Sequence, residues 1–170
     1  MERISVIGAG SWGIALANLL AGNDHDVTVW SIMKDEIDML DKNHEHLDKL
    51  PGVKLNDSIK YTTDLEKACK EKSILVLAVP SVYTRSTSHS MAPFITDGQI
   101  IVNVAKGVEE NTLLTLSEII TEEIPHANVC VLSGPSHAEE VGRGLPTTVV
   151  VGSKDQKTAE SIIAALADFD

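Results

Sequence analysis

The chain has 170 residues, 43% of them hydrophobic and 23% charged, with a formal net charge of −11 at pH 7. That length supports one well-formed core, and a single domain is the expectation. The acidic balance argues against a nucleic-acid partner, because phosphate backbones demand basic patches. Any phosphate-bearing ligand would be held by local features instead: helix N-termini, backbone amides and a few placed lysines. No apolar run approaches the ~20 residues that span a bilayer, and Met1-Glu2-Arg3 enters the first apolar run with no basic leader. No membrane partner and a cytoplasmic location are therefore expected. Cys69 and Cys130 form neither C-x-x-C nor a metal-binding spacing, and both read as packing residues.

The first expected strand, Ile4–Ile7, breaks at Gly8-Ala-Gly10-Ser-Trp-Gly13, and a helical pattern over Trp12–Ala21 follows. Strand, tight turn and helix with G-x-G-x-x-G across the junction is the dinucleotide-binding arrangement. Gly8 would allow the sharp turn, Gly10 would let the backbone approach a pyrophosphate, and Gly13 would let the helix pack close to the strand. Ser11 and Trp12 lie at the helix start, where free N–H groups and the positive dipole end face the phosphates. Protein kinases carry the same string, but their loop joins two strands.

Further strands are expected at Val27–Trp30, Ile74–Val79, Ile100–Val104, Val129–Leu132 and Thr147–Val151, with a weaker one at Ile59–Tyr61. Helical patterns cover Lys34–Asp41, Leu65–Lys70, Thr112–Glu122 and Thr158–Ala167, and Ser81–Met91 is partly helical, ending before Pro93. The alternation predicts an α/β fold: a Rossmann-like, doubly wound and mostly parallel sheet with helices on both faces. Asn43–Asn56, rich in His, Asp and Lys, reads as a long surface connection. The final helical pattern runs into Ala167-Asp-Phe-Asp170 without a glycine cap. Because doubly wound nucleotide domains generally rely on a second domain to hold substrate, residues 1–170 read as the cofactor half of a larger protein.

In an open parallel sheet the carboxyl ends of the strands face the ligand. At the second of these ends, Val29-Trp30-Ser31-Ile32-Met33-Lys34 places no carboxylate at the tip, and Asp35 and Glu36 come late. Ser31 would donate to a 2′-phosphate and Lys34 would reach one, so the stretch leans toward NADP over NAD, without an arginine to settle it. Pro80 closes Leu77-Ala78-Val79-Pro80-Ser81 at the crevice, and Lys106 leaves the strand end Val104-Ala105-Lys106-Gly107, placed to bind a phosphate or polarise a carbonyl. Leu132-Ser133-Gly134-Pro135-Ser136-His137-Ala138-Glu139-Glu140-Val141 offers close backbone amides, with Ser136 as the expected cap of a helix starting at His137. His137, Glu139 and Glu140, like His44 and His46, lack a convergent third ligand and read as solvated side chains rather than a metal site. A G-x-S-x-G elbow and a Walker G-x-x-x-x-G-K-[ST] are both missing, which argues against hydrolase and phosphoryl-transfer chemistry.

Taken together, these motifs resemble the NAD(P)-dependent glycerol-3-phosphate dehydrogenases of the bacterial type. The matching pieces are Gly8-Ala-Gly10-Ser-Trp-Gly13, Leu50-Pro-Gly-Val-Lys-Leu55, Thr62-Thr-Asp-Leu65, Val79-Pro-Ser81, Lys106-Gly-Val-Glu-Glu110, Leu116-Ser-Glu118 and Leu132 to Val141 with Arg143-Gly144. The resemblance implies reversible hydride transfer between a nicotinamide cofactor, NAD or NADP, and carbon 2 of dihydroxyacetone phosphate, giving sn-glycerol 3-phosphate for phospholipid synthesis. By position it implies cofactor contacts from Ser11, Trp12, Lys106 and Ala138, and substrate contacts from Lys106, Gly134 and Ser136. Family members often carry an arginine where this chain has Ile32. The family also continues into an α-helical domain that supplies the catalytic lysine, so no catalytic residue is expected in this chain and the isolated half is expected to be inactive. Self-association into a homodimer, through apolar surface that a second domain would otherwise cover, is a further expectation. The alternatives that the residues leave open are the cofactor half of another β-hydroxyacid or hydroxyacyl dehydrogenase and a non-catalytic dinucleotide sensor.

Overall fold

The β-branched runs form strands and the amphipathic runs form helices, as the computed structural model shows over its described residues, 1–166. In chain order the elements are β1 (Arg3–Ile7), α1 (Ser11–Gly22), β2 (Asp26–Trp30), α2 (Lys34–Asn43), β3 (Lys60–Thr62), α3 (Leu65–Cys69) and β4 (Ile74–Leu77). They continue with α4 (Thr84–Met91), β5 (Ile100–Asn103), α5 (Leu116–Glu123), β6 (Asn128–Ser133), α6 (Ala138–Gly142), β7 (Val150–Ser153) and α7 (Gln156–Leu166). Short 3-10 turns at Ser81–Tyr83 and Ala92–Phe94 flank α4. One seven-stranded sheet runs β3-β2-β1-β4-β5-β6-β7. All neighbours are parallel except β7, which lies antiparallel to β6 at the edge.

Period-2 alternation divides the strand side chains between two cores. Ile4 and Val6, Val27 and Val29, Val76, Val102 and Leu132 face one side, where α1, α6 and α7 cover them with Ile14, Leu16, Val141 and Ile162. Ile7, Leu75, Leu77 and Ile101 face the other, against Cys69 of α3, Met91 of α4 and Ile120 of α5. Each fully buried Ile or Leu contributes about 1.5–3 kcal/mol relative to exposure. Cys69 and Cys130 are free and buried, and burial pushes both thiols up to about 12.

Several boundaries differ from the sequence reading, each for a local reason. The expected strand over 74–79 stops at Leu77, because its partner β1 ends at Ile7 and turns away at Gly8; the Ala78 amide donates to Ile7 (2.8 Å) as the last rung. The expected helix over 112–122 begins only at Leu116. Thr115 and Glu118 form a reciprocal capping box there, and Leu113 sits at φ 58° in a loop closed by the Val108–Thr115 bridge. The expected strand over 147–151 is displaced to Val150–Ser153, where it pairs with β6. The stretch from Asn43 to Asn56 is more than a surface connection, since His46, Leu50, Val53 and Leu55 are all buried. Leu50 and Val53 pack against α6 at Gly142, where an added Cβ would come within 3.3 Å of both. The expected helix end at Ala167 and the uncapped tail beyond it lie outside the described residues.

Candidate dinucleotide cleft

The parallel strands bring Ile7, Trp30, Leu77, Asn103 and Ser133 to one end of the sheet. At the end of β1 the chain turns at Gly8, whose φ is 115° and whose amide donates to the Trp30 carbonyl (2.9 Å). An added Cβ on Gly8 would lie 2.8 Å from the Ala78 carbonyl carbon, and one on Gly13 would lie 2.3 Å from the Gly8 oxygen. Glycine at both positions is thus what lets β1, β4 and the start of α1 meet. Gly10 differs, because an added Cβ there meets nothing within 4 Å. Open space therefore lies before it, and α1 begins without a side-chain cap. Among the described residues, no protein acceptor faces the amides of Ser11, Trp12 and Gly13. A bare helix N-terminus behind an open glycine fits the diphosphate of a dinucleotide.

Two further loops close on this one. At the end of β5 the buried Asn103 donates from Nδ2 to the Ala105 carbonyl (3.0 Å) and accepts from the Ala105 amide (3.3 Å). That clamp fixes the turn presenting Lys106, which is exposed and has no ion-pair partner among the described residues. After β6, Gly134 passes so close under Thr148 that a Cβ would sit 2.6 Å from its carbonyl oxygen. The Gly134 carbonyl accepts from the Ser136 amide (2.9 Å). Ser136 does not cap the next helix as expected: α6 starts at Ala138, with His137 in the N-cap position and no side-chain bond there.

The result is a cleft of about 500 Å³. Of the sequence-predicted residues, Gly10, Ser11, Trp12, Pro80, Lys106, Ser136 and Ala138 line it together. Gly8 and Gly13 shape its floor from beneath, and Gly134 supports its rim without lining it. Ser81, His137 and Glu139 also line it. They were missed as site residues because nothing in their spacing separates a lining residue from an ordinary turn residue.

Ser31 and Lys34 stand apart, at the junction of β2 and α2. The donor role expected of Ser31 toward a 2′-phosphate competes with the residue's own partners. Its hydroxyl donates to Glu36 (2.6 Å) and accepts from the Met33 amide (3.2 Å). Glu36, read as arriving too late to matter, folds back under the strand end and is 8% exposed. It also bonds Lys49 and accepts from His46 Nε2 (3.0 Å). Because His46 Nδ1 accepts from the Lys49 amide (3.2 Å), the ring proton sits on Nε2. His46 is therefore a buried structural residue, not the solvated side chain expected. Burial opposes ionisation of Glu36, but the Lys49, Ser31 and His46 hydrogen bonds outweigh it and hold the carboxyl below its ordinary value. Lys34 is exposed and pairs with Asp38 one turn along α2.

The family model for the NAD-dependent glycerol-3-phosphate dehydrogenase N-terminus matches residues 3–159. A glycerol-3-phosphate dehydrogenase [NAD(P)+] of Agathobacter rectalis is 64% identical over 162 residues, covering 95% of this chain and 48% of the relative. The protein of that name from Fusobacterium nucleatum is 54% identical over 159 residues, covering 92% and 48%. The crystal structure of glycerol-3-phosphate dehydrogenase from Coxiella burnetii superposes with a TM-score of 0.92 at 30% identity, over 97% of this chain and 50% of that one. The chain thus spans about half the length of the relatives it matches. The family match over residues 3–159 and the fold shared with the Coxiella structure carry the conclusion: the chain belongs to the NAD-dependent glycerol-3-phosphate dehydrogenase family, as its N-terminal domain.

Proposed function

We propose that this domain binds NAD or NADP in the cleft, and that the whole protein interconverts dihydroxyacetone phosphate and sn-glycerol 3-phosphate. The observation that carries the cofactor half of this reading is the start of α1: three backbone amides without protein acceptors among the described residues, facing open space at Gly10. Gly10, Ser11 and Trp12 hold the diphosphate, while Pro80 and Ala138 bound the cleft. Ser31 and Lys34 stand at the ribose end. When bound, the cofactor supplies hydride transfer to or from carbon 2 of the substrate. Lys106, exposed at the end of β5 and fixed by the Asn103 clamp, places a positive charge at the cleft mouth for the cofactor and the substrate. Gly134 and Ser136 contribute substrate contacts from the adjoining loop. The proton exchanged with the substrate oxygen comes from a lysine in the half of the family's length that this chain does not span, so the 170 residues alone bind cofactor without turnover. Such a reaction feeds phospholipid synthesis in the cytoplasm, and a homodimer is the proposed assembly.

Calorimetric titration of the 170-residue chain with NADH and NADPH tests the first half. Saturable binding of either is expected, and binding of neither would remove the cleft as a dinucleotide site. For the substrate half, Lys106→Ala in the full-length enzyme is expected to raise KM for dihydroxyacetone phosphate or to lower kcat. Unchanged kinetics would take Lys106 out of the site.

A further inference from the structure

We infer that Glu36 is a positioning residue that sets cofactor choice: it holds the Ser31 hydroxyl as a hydrogen-bond acceptor and so favours the unphosphorylated ribose of NAD(H) over the 2′-phosphate of NADP(H). The inference rests on the dinucleotide reading of the cleft and deepens it. In sheets of this kind the ribose next to the adenine lies beyond the end of the second strand. Ser31 is the first residue past that end, beside the glycine turn that donates to Trp30.

A hydroxyl has one proton to give and two acceptor sites. The Ser31 proton goes to Glu36 (2.6 Å) and one acceptor site takes the Met33 amide (3.2 Å). What remains is a single acceptor site. A ribose 2′-OH satisfies it by donating, whereas a phosphate close to its dianion offers only acceptor oxygens. The Ser31 proton is not easily released. Turning it away would leave a carboxylate oxygen, 8% exposed with its residue, short of one of the hydrogen bonds that offset its burial.

Among the described residues, the side chains beside Ser31 supply no replacement donor set, and the uncapped start of α2 offers its amides from within an acidic first turn. Ile32 and Met33 are exposed and apolar, and Asp35 and Glu36 make the first turn of α2 acidic. Lys49 and His46, the cations and donors facing Glu36 from the following loop, are spent on it. Among the described side chains the rival is Lys34. It is exposed and, among the described residues, paired with Asp38, a type of contact that costs little to break.

The test is calorimetric titration with NADH and with NADPH of the chain and of Glu36→Gln, Ser31→Ala and Lys34→Ala variants, each checked for folding by thermal melting. The expected wild-type result is NADH binding tighter by about tenfold or more, the cost of facing acceptor to acceptor at a charged group. A glutamine at position 36 can donate to the Ser31 oxygen and free its proton, so Glu36→Gln is expected to narrow the preference several-fold by gaining NADPH affinity. Ser31→Ala is expected to weaken NADH alone. A wild type with equal affinities, or one that prefers NADPH and loses that preference with Lys34→Ala, overturns the inference and leaves the dinucleotide site standing. If Glu36→Gln fails to fold, an unchanged NADH-to-NADPH ratio in Ser31→Ala overturns it equally. Binding of neither cofactor by the wild type overturns the site and the inference together.

Discussion

The ends of β1 and β2 lie side by side, each running into a helix, yet the molecule treats them in opposite ways. After β1 the chain removes side chains: Gly8 and Gly13 allow backbone to touch backbone, Gly10 faces open space, and the first amides of α1 keep no partner among the described residues. After β2 it fills the same kind of junction with its own polar groups. Ser31, Glu36, His46 and Lys49 close a hydrogen-bonded cluster beneath the strand end. At one junction the backbone keeps its donors for an outside anion, whereas at the other the side chains spend their donors on one another and leave the Ser31 hydroxyl only as an acceptor. An open backbone cradle binds what any dinucleotide shares. A saturated side-chain cluster can select among dinucleotides.

The largest effect should come from the first junction. Gly13→Ala puts a Cβ 2.3 Å from a backbone oxygen, and a loss of about 3 kcal/mol is expected in urea denaturation. Gly10→Ala has room for its methyl and should stay within about 1 kcal/mol of the parent while losing dinucleotide affinity. If the two variants lost stability alike, the contrast between a packed and an open glycine would fail.

Next in size is the second junction. Glu36→Ala leaves Ser31 and His46 without their shared partner, and about 2 kcal/mol is the expected cost. The same group predicts an acid dependence. Its carboxyl is held below the ordinary 4.5 in the folded state, so its contribution is present above pH 4.5 and lost as pH falls below that value. Urea midpoints for parent and Glu36→Gln should converge across that window. Parallel curves there would mean that the cluster does not bind the charged form.

Smaller effects lie farther from both junctions. Asn103→Ala should cost about 1 kcal/mol and loosen cofactor binding by freeing the turn that carries Lys106, which titration would show as a weaker affinity without change in stoichiometry. The smallest effect is expected at Arg85, which ties α4 to α5 and the loop before it through Glu109, Glu122 and Glu123. Arg85 holds the Glu109 carboxyl down to about 2, so that pair contributes above pH 4.5 and fades between there and about pH 2. Because the pair is solvent-facing, Arg85→Gln should lower Tm only slightly, and added salt should shrink the difference.

The amino-acid sequence by itself determined the periodic and the local features. Alternating β-branched runs marked the strands, and the glycine spacing marked the turn, the close packing and the bare helix start, because each depends on residues within a few positions of one another. Lys106 and the Ser136 loop were readable for the same reason, as strand ends of a parallel sheet point one way. What only the tertiary structure decided was pairing between segments far apart in sequence. That the stretch holding Leu50, Val53 and Leu55 packs against α6 depends on contact across about half the chain. The antiparallel return of β7 depends on β6 offering a free edge. The fate of Ser31 depends on His46 and Lys49 drawing Glu36 under the strand. A hydroxyl read alone is both donor and acceptor, and its proton is assigned only when the fold supplies its neighbours.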